Sequence, residues 1–282
     1  MKLIDLRSDT VTLPSPEMLK AMPIAQLGDD VYEDDPTVNE LQEMSANMLG
    51  KEDGLFVASG TMGNLISLLT HCPRGSQAIA GDLSHIILHE LGGASVLGGI
   101  MLRNVPNAKD GRFNLQHLDE ITCDEDDIHK APTELLCVEN TWHGQALTLD
   151  YMESVIKLAR KKNFKIHLDG ARIFNAAVAL KLKPIELTKS FDSIQFCFSK
   201  GLAAPVGSMI CGDRDFIKRA RRMRKMLGGG MRQVGVLAAA CQIALTNMVD
   251  RLVEDHSNAQ LLADELAQLD GIQVEPAAIR TN

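Results

Sequence analysis

The 282-residue sequence has few aromatic side chains, no excess of positive charge and no long apolar run. Aromatic residues make up 4% of the chain, so no series of stacking side chains for single-stranded nucleic acid is evident. The formal net charge of −8 disfavours a polyanionic partner. No stretch approaches the length of a membrane span, and the N-terminus lacks an apolar signal core. We therefore expect neither a nucleic-acid nor a membrane partner.

The cysteines are scattered, and no two have the spacing of a metal knuckle. Cys137, Cys197 and Cys211 lie in apolar, strand-like runs, where a free thiol packs as a small hydrophobic group. Free thiols of this kind are typical of a reducing compartment. The sequence thus predicts a cytoplasmic protein without a metal site. The full set is Cys72, Cys123, Cys137, Cys197, Cys211 and Cys241.

Two segments concentrate charge of one sign. The basic segment 218–225 is predicted to be helical, and we interpret it as a solvated helix face or a site for a small phosphate. The acidic segment 123–127 is interpreted as a surface linker. In an acidic protein, one basic helix is weak support for nucleic-acid binding.

Helical and strand-like patterns alternate along most of the chain, which predicts an α/β fold with a largely parallel sheet. A helix is expected over 37–49, ending at Gly50, and a second over 65–69 after a turn at 59–64. Another amphipathic helix is expected from about Val253. Strands are predicted at 54–58, 78–80, 134–138, 165–168, 193–198, 208–211 and 271–275.

Two polar side chains stand at the ends of apolar strand-like runs. Asp169 follows one run and Lys200 the next, about one strand–helix–strand unit later. Each alone has an ordinary explanation, because a strand-end aspartate can cap a helix and a lysine can mark a strand reaching solvent. Together they are expected at one edge of the sheet, where α/β proteins bind ligands.

This pair, with the turn 59–64, suits pyridoxal 5'-phosphate (PLP). A lysine amine forms a Schiff base with an aldehyde, and a carboxylate facing a pyridine nitrogen keeps that nitrogen protonated. The glycine-rich helix start offers backbone N–H groups and the Thr61 hydroxyl to a phosphate. The residues themselves thus indicate PLP and carbanion chemistry.

Other motifs fit known sites less well. His85 and His89 would share a helix face, but a zinc-protease motif needs glutamate directly after the first histidine, where this chain has Ile86. We therefore expect His89 to be structural. The glycines at 228–230 lack the Lys-Ser/Thr ending of a nucleotide loop, and are interpreted as a turn carrying Arg232.

The sequence resembles the low-specificity L-threonine aldolases, a family of fold-type-I PLP enzymes, over nearly its whole length. That resemblance implies a large PLP-binding domain with a mixed, mostly parallel sheet at 21–250, after an N-terminal arm at 1–20. A small C-terminal α/β domain would begin at 251–282 and be incomplete. The blocks that carry the resemblance are 5–12, 28–38, 59–64, 85–86, 139–141, 167–176, 198–202, 204–207 and 224–233.

The resemblance also implies roles for matching residues. Lys200 would bind the cofactor covalently, Asp169 would face its ring nitrogen, and His85 would stack on its ring. Arg172 would contact the ring hydroxyl and the substrate. Further cofactor contacts would come from Gly60, Thr61, Ser199, Lys225 and Arg232, and further substrate contacts from Ser8 and Tyr32.

Tyr32, Lys225 and Arg232 resemble residues that reach a neighbouring subunit's site, which implies a homo-oligomer, expected to be a tetramer of paired dimers. The implied reaction cleaves L-threonine or L-allo-threonine to glycine and acetaldehyde. The base would be His85, His143 or a water held between them.

The clearest departure from the family follows 139–141, where the family has a histidine and this chain has Trp142 and then His143. Either His143 takes over by a one-residue shift, or Trp142 replaces an imidazole near the site; an aromatic packed on the surface is the ordinary alternative. Two other functions stay open: β-elimination on the same scaffold, and a shortened homologue that has lost turnover but still oligomerises.

Overall fold

The computed structural model describes residues 4–121 and 127–282, so most of the acidic segment lies outside the described residues. Within them, the strands are β1 (Asp53–Val57), β2 (Gln77–Gly81), β3 (Met101–Val105), β4 (Thr133–Glu139), β5 (Lys165–Asp169), β6 (Ser193–Cys197) and β7 (Ser208–Gly212). The α-helices are α1 (Pro16–Ala21), α2 (Pro36–Leu49), α3 (Gly60–His71), α4 (His85–Leu88), α5 (Gly93–Gly98), α6 (Leu115–Ile121), α7 (Leu149–Lys161), α8 (Ile173–Leu180), α9 (Pro184–Thr188), α10 (Arg214–Met226), α11 (Gly235–Ile243) and α12 (Leu252–Leu266).

The strands form one sheet in the order β1-β7-β6-β5-β4-β2-β3. β7 runs antiparallel to both of its neighbours, β1 and β6, and the other pairs are parallel. The mixed, mostly parallel sheet predicted from the sequence is therefore confirmed. Since all strands except β7 point the same way, their carboxyl ends meet at one edge.

Free thiols fill part of the core. Cys137, Cys197 and Cys211 lie in β4, β6 and β7 and are at most 4% exposed, as the apolar runs predicted. Cys72 and Cys241 are buried and free as well. The five thiols therefore pack as small hydrophobic side chains.

Helix α2 shows how local sequence sets an element's bounds. The Asp35 side chain accepts a hydrogen bond from the Val38 N–H and so caps the first turn. At the other end Gly50 adopts a left-handed conformation with φ of 65°. A side chain there would also collide with Ile185, 2.6 Å from the ideal Cβ position, so glycine is required. The predicted helix end is confirmed.

Three predictions of secondary structure were wrong in detail. α3 begins at Gly60, directly after the cap Ser59, so most of the predicted turn is the helix's first turn. β3 was missed because its burial does not follow a simple alternation. The strand predicted at 271–275 is not formed; this stretch has no regular structure and leads into a short 3-10 turn, Pro276–Ala278. The helix expected before it is present as α12, and the small C-terminal domain remains a prediction.

The basic segment 218–225 lies in α10, and Arg224 is the basic residue that departs from the predicted solvated face; a phosphate site on this helix stays a prediction. The Arg224 side chain is buried, forms an ion pair with Asp30 at 2.7 Å and donates to the Phe56 carbonyl at 2.8 Å. Other basic residues line a surface cavity of about 310 Å³, among them Lys218, Arg221, Arg222 and Lys225.

Among residues 4–121 and 127–282, no single helix is long and apolar enough to cross a membrane. Two consecutive helical segments, Gly235–Met248 and Leu252–Leu266, together have the length and apolar composition of a membrane span, but the chain bends by 66° between them.

Candidate active site

The candidate site lies at the edge where the parallel strands end. Asp169 is the last residue of β5 and is paired in register with Glu139 of β4 and Gln195 of β6. Lys200 lies three residues beyond the end of β6, so both predicted residues belong to this edge. The adjacent strand ends therefore bring a carboxylate-bearing and an amine-bearing residue to the same edge of the sheet.

Asp169 is 2% exposed, and two N–H groups hold its carboxylate. One oxygen accepts from the Asn64 side-chain amide at 2.7 Å, and the other accepts from the Ala171 backbone N–H at 3.1 Å. Donors of this kind offset the cost of burying a negative charge. The carboxylate is thus fixed in position by α3 on one side and by the turn after β5 on the other.

The N-terminus of α3 offers an anion site at the same edge. Ser59 uses its side chain to accept the Met62 N–H, while the N–H groups of Gly60 and Thr61 belong to the first turn, where a helix supplies no acceptor. A Cβ on Gly60 would lie 2.8 Å from the sulfur of Cys197 in β6. Glycine therefore allows the start of α3 to approach the strand ends closely, as a phosphate cradle requires.

His85 is held by two carboxyl groups. Its backbone N–H donates to Glu139 Oε2, and its Nδ1 lies 2.8 Å from Glu90 Oε1. The hydrogen bond to Glu90 raises the pKa of His85, while burial raises the pKa of Glu90. Because Nδ1 is engaged, Nε2 is the ring atom left to exchange a proton with a ligand.

The ligand atoms of His85, Glu90 and Asp169 lie within 4.8 Å of one another, close enough to surround a metal ion. Hydrogen bonds account for this closeness, because the Asn64 amide donates to both carboxylates and His85 pairs with Glu90. The expectation of no metal ligand stays a prediction.

Glu139 gives the site a pH dependence. Burial, and then the neighbouring Asp169 carboxylate, raise its pKa to about 8. An unfolded chain loses this proton at the ordinary carboxyl pKa, whereas the folded chain keeps it to about pH 8. Between the ordinary carboxyl pKa and about pH 8, folding therefore takes up a proton. The free energy of unfolding falls as the pH rises through this range.

Glu139→Gln is expected to remove this dependence, because glutamine has no proton to lose. The variant should gain stability relative to the parent between pH 5 and pH 8, by up to about 4 kcal/mol at the upper end. Urea unfolding of the cofactor-free protein at several pH values measures it. Glu153→Gln, on the exposed side of α7, is the control. An identical pH slope in parent and Glu139→Gln would contradict the assignment.

The N-terminal arm is fastened to this edge through Asp9. Its carboxylate binds Arg172 at two points, 2.8 Å from Nε and 2.5 Å from Nη2, and accepts the Gly201 N–H at 3.1 Å. The Thr12 hydroxyl donates to the carbonyl of Lys200. The arm therefore orients the loop that carries Lys200, and the predicted contact of Arg172 with a cofactor hydroxyl stays a prediction.

Trp142 lies inside the protein, and its packing on the surface was a wrong alternative. It is 7% exposed and presses on Gly111, where an added Cβ would lie 2.9 Å from the indole. With Glu139 and Asp169 it lines a cavity of about 10 Å³. His143 is exposed, contacts the Trp142 ring edge-on at 4.5 Å, and places Nε2 3.4 Å from the Leu83 carbonyl.

The remaining predicted residues lie near or outside this edge. Ser199 directly precedes Lys200, and the Ser8 side chain caps a short 3-10 turn beside Asp9. Tyr32 is 73% exposed, and Arg232 pairs with Asp29 at 3.0 Å. Lys225 lines the cavity on α10. Their expected contacts with cofactor, substrate or another subunit are still predictions.

Comparison with known proteins fits this arrangement of strand ends and helix start. The family model described as beta-eliminating lyase matches residues 5–282. The chain belongs to the beta-eliminating lyase family. It is 51% identical over 266 residues to the low specificity L-threonine aldolase of Escherichia coli K12, covering 94% of this chain and 80% of that protein.

A second relative and a solved structure also resemble this chain. The low-specificity L-threonine aldolase 1 of Arabidopsis thaliana is 48% identical over 287 residues, which cover 100% of this chain and 80% of that protein. A solved threonine aldolase structure from Leishmania major superposes with a TM-score of 0.80 at 21% identity, covering 92% of this chain and 77% of that one. At this level of identity, the superposition shows that the two proteins share a fold and shows nothing more.

Sequence reasoning assigned no role to Asp9, Asn64, Glu90 or Glu139. The sequence did contain one indication of a polar network around Asp169. His167 and Asp169 are two residues apart on a strand, so both side chains face the same side of the sheet. A buried histidine beside a buried carboxylate points to a polar network on that face. The partners on α3 and after α4 are remote in sequence and could not be inferred from spacing.

Proposed function

We propose that this chain is a PLP-dependent aldolase that cleaves L-threonine and L-allo-threonine to glycine and acetaldehyde. The observation that carries the proposal is the buried, doubly hydrogen-bonded Asp169 at the strand edge that also bears Lys200 and the start of α3. A pyridinium ring, an aldehyde and a phosphate are the groups that this carboxylate, amine and helix start would bind.

When bound, PLP supplies an electron sink for a carbanion. Gly60, Thr61 and Ser199 would hold its phosphate, and Asp169 would hold the proton on the ring nitrogen. The Lys200 amine would bind the aldehyde carbon and be displaced by the amine of the substrate. The packing around Asp169 suits a bound cofactor, because its carboxylate is buried and is hydrogen-bonded to Asn64 of α3, the helix whose start would hold the phosphate.

The proton of the substrate's β-hydroxyl must be taken up as the Cα–Cβ bond breaks. His85 suits this role, since Glu90 fixes Nδ1 and leaves Nε2 for the substrate. His143 is the alternative, on the loop that borders the site. Ser8 and Arg172 would bind the substrate's carboxylate, with Asp9 orienting the guanidinium.

The proposal includes a homotetramer of paired dimers in the cytoplasm, serving threonine catabolism and glycine formation. Buried free thiols support a reducing compartment. Large apolar side chains that are at least 75% exposed support a covered surface, because contact with another subunit would remove their apolar area from water. They include Leu13, Ile24, Leu91 and Val96. Tyr32, Lys225 and Arg232 would then complete a neighbouring subunit's site.

Purified protein supplied with PLP and L-threonine is expected to release acetaldehyde and glycine in equal amounts, and L-allo-threonine should behave likewise. Coupled reduction of acetaldehyde and amino-acid analysis measure the two products. Ammonia and a keto acid instead would indicate β-elimination. Cofactor absorbance without either product would indicate a chain that binds PLP but has lost turnover.

A further inference from the structure

A row of buried polar side chains lies behind Asp169, on the side away from the strand edge. Asn64 of α3 contacts His167 of β5 at 3.0 Å, His167 contacts the Ser193 hydroxyl at 2.8 Å, and that hydroxyl contacts His71 at 2.8 Å. Asn64, His167 and Ser193 are at most 1% exposed. Buried polar groups at this depth need every hydrogen bond to be satisfied.

The contacts of Asn64 fix the orientation of its amide. Nδ2 lies 2.7 Å from Asp169 Oδ2 and 2.8 Å from Glu90 Oε1, so its two hydrogens point at two carboxyl groups. Oδ1 therefore faces His167 Nε2. An amide oxygen can only accept, so Nε2 of His167 must carry a hydrogen.

The hydrogen on Nε2 of His167 fixes the positions of the hydrogens on Ser193 and His71. Burial lowers the pKa of His167 to about 3, so the ring is neutral and Nδ1 is bare. The Ser193 hydroxyl must then donate to Nδ1 of His167. Its oxygen is left to accept from Nε2 of His71, whose pKa burial lowers to about 4. All donors thus point the same way, from His71 towards the two carboxyl groups.

We propose that Asn64 is a positioning residue for Asp169, and that His71, Ser193 and His167 form an ordered donor chain that fixes the Asn64 amide. The amide also joins Asp169 to Glu90 and so to His85, which links the group facing the cofactor's ring nitrogen to the candidate base. This role rests on the proposed function, whereas the order of the donors rests on the hydrogen bonds and on the neutral state of the two buried histidines.

The donor order is tested on the cofactor-free protein by nitrogen-15 NMR of its labelled histidine side chains. His167 and His71 are expected to be neutral and protonated on Nε2. A hydrogen on Nδ1 of His167, or a doubly protonated ring, would overturn the chain. This measurement needs no substitution and no bound cofactor.

The positioning role is tested by the dissociation constant for PLP, followed by absorbance. Asn64→Leu should weaken binding by about ten- to a hundred-fold, since Asp169 loses a charge-assisted hydrogen bond. Ser193→Ala should weaken it less, by about two- to ten-fold, because it interrupts the chain further back. Ser67→Ala is the matched control: this buried hydroxyl on α3 bonds to the Gly63 carbonyl and should leave binding unchanged.

The outcomes separate this inference from the proposed function. If the parent protein binds no PLP, the proposed function fails while NMR still decides the donor order. If the parent binds PLP and Asn64→Leu binds it equally well, the positioning role is overturned. If circular dichroism shows that Asn64→Leu does not fold, the PLP dissociation constants of Ser193→Ala and Ser67→Ala are compared instead. Equal constants for these two variants would overturn the positioning role.

Discussion

Lys200→Ala is expected to abolish the Schiff-base absorbance band of the PLP-loaded protein and to lower the rate of threonine cleavage by at least about a thousand-fold. That band depends on a covalent bond between the cofactor's aldehyde and a lysine amine, which alanine cannot form, so bound cofactor should show only the band of the free aldehyde. Cleavage is lost with it, because substrate entry by exchange at that amine is replaced by slow condensation with free aldehyde. Absorbance spectra and product formation by parent and variant measure the two losses.

A second lysine provides the control for that experiment. Burial lowers the pKa of Lys51 to about 8, so its amine is unusually reactive at neutral pH. It lies elsewhere, donating to the backbone carbonyls of Lys189 and Phe191. Borohydride reduction of the PLP-loaded protein followed by peptide mapping should therefore label Lys200 and leave Lys51 unlabelled. Label on Lys51, or a Schiff-base band that persists in Lys200→Ala, would refute the assignment.

The strand-edge part of the site could be predicted because local sequence determines it. β5 and β6 are short strands that are buried over almost their whole length, and the residues that follow a buried parallel strand must emerge at its carboxyl end. Asp169, Lys200 and the glycine-rich start of α3 were located on that basis, and the sheet confirms that they share an edge. Gly50 as a helix end is local in the same sense.

The rest of the site depends on contacts between residues far apart in sequence. Asn64 and Asp169 meet because α3 packs beside β5, and nothing in the spacing of the two residues reveals that. The burial of Trp142 likewise depends on Gly111, in a separate loop. The segment 271–275 has a strand's composition, but a strand also needs a neighbour to pair with. Local pattern cannot supply that neighbour.

Asp169→Asn is expected to leave the fold intact and to lower the rate of threonine cleavage by about a hundred- to a thousand-fold. Asparagine is nearly the same size, and its side-chain oxygen can still accept the hydrogen bond from Asn64, although its NH2 group then replaces the acceptor of the Ala171 N–H. What is lost is the negative charge that keeps a pyridine nitrogen protonated, and with it the ring's capacity to take electrons from Cα. The rate should therefore fall even when the variant is saturated with both PLP and threonine, which separates this loss from any loss of cofactor affinity.

A second measurement on Asp169→Asn reports on the site without turnover. The Asp169 charge contributes to the raised pKa of Glu139, so the substitution should lower that pKa and shift the pH dependence of unfolding downwards. Asp192→Asn is the comparison, since Asp192 pairs with Arg160 and Lys165 at the opposite end of β5. It should lose stability yet keep its rate per folded molecule. Equal rates for Asp169→Asn and the parent would mean that this carboxylate does not face the ring nitrogen.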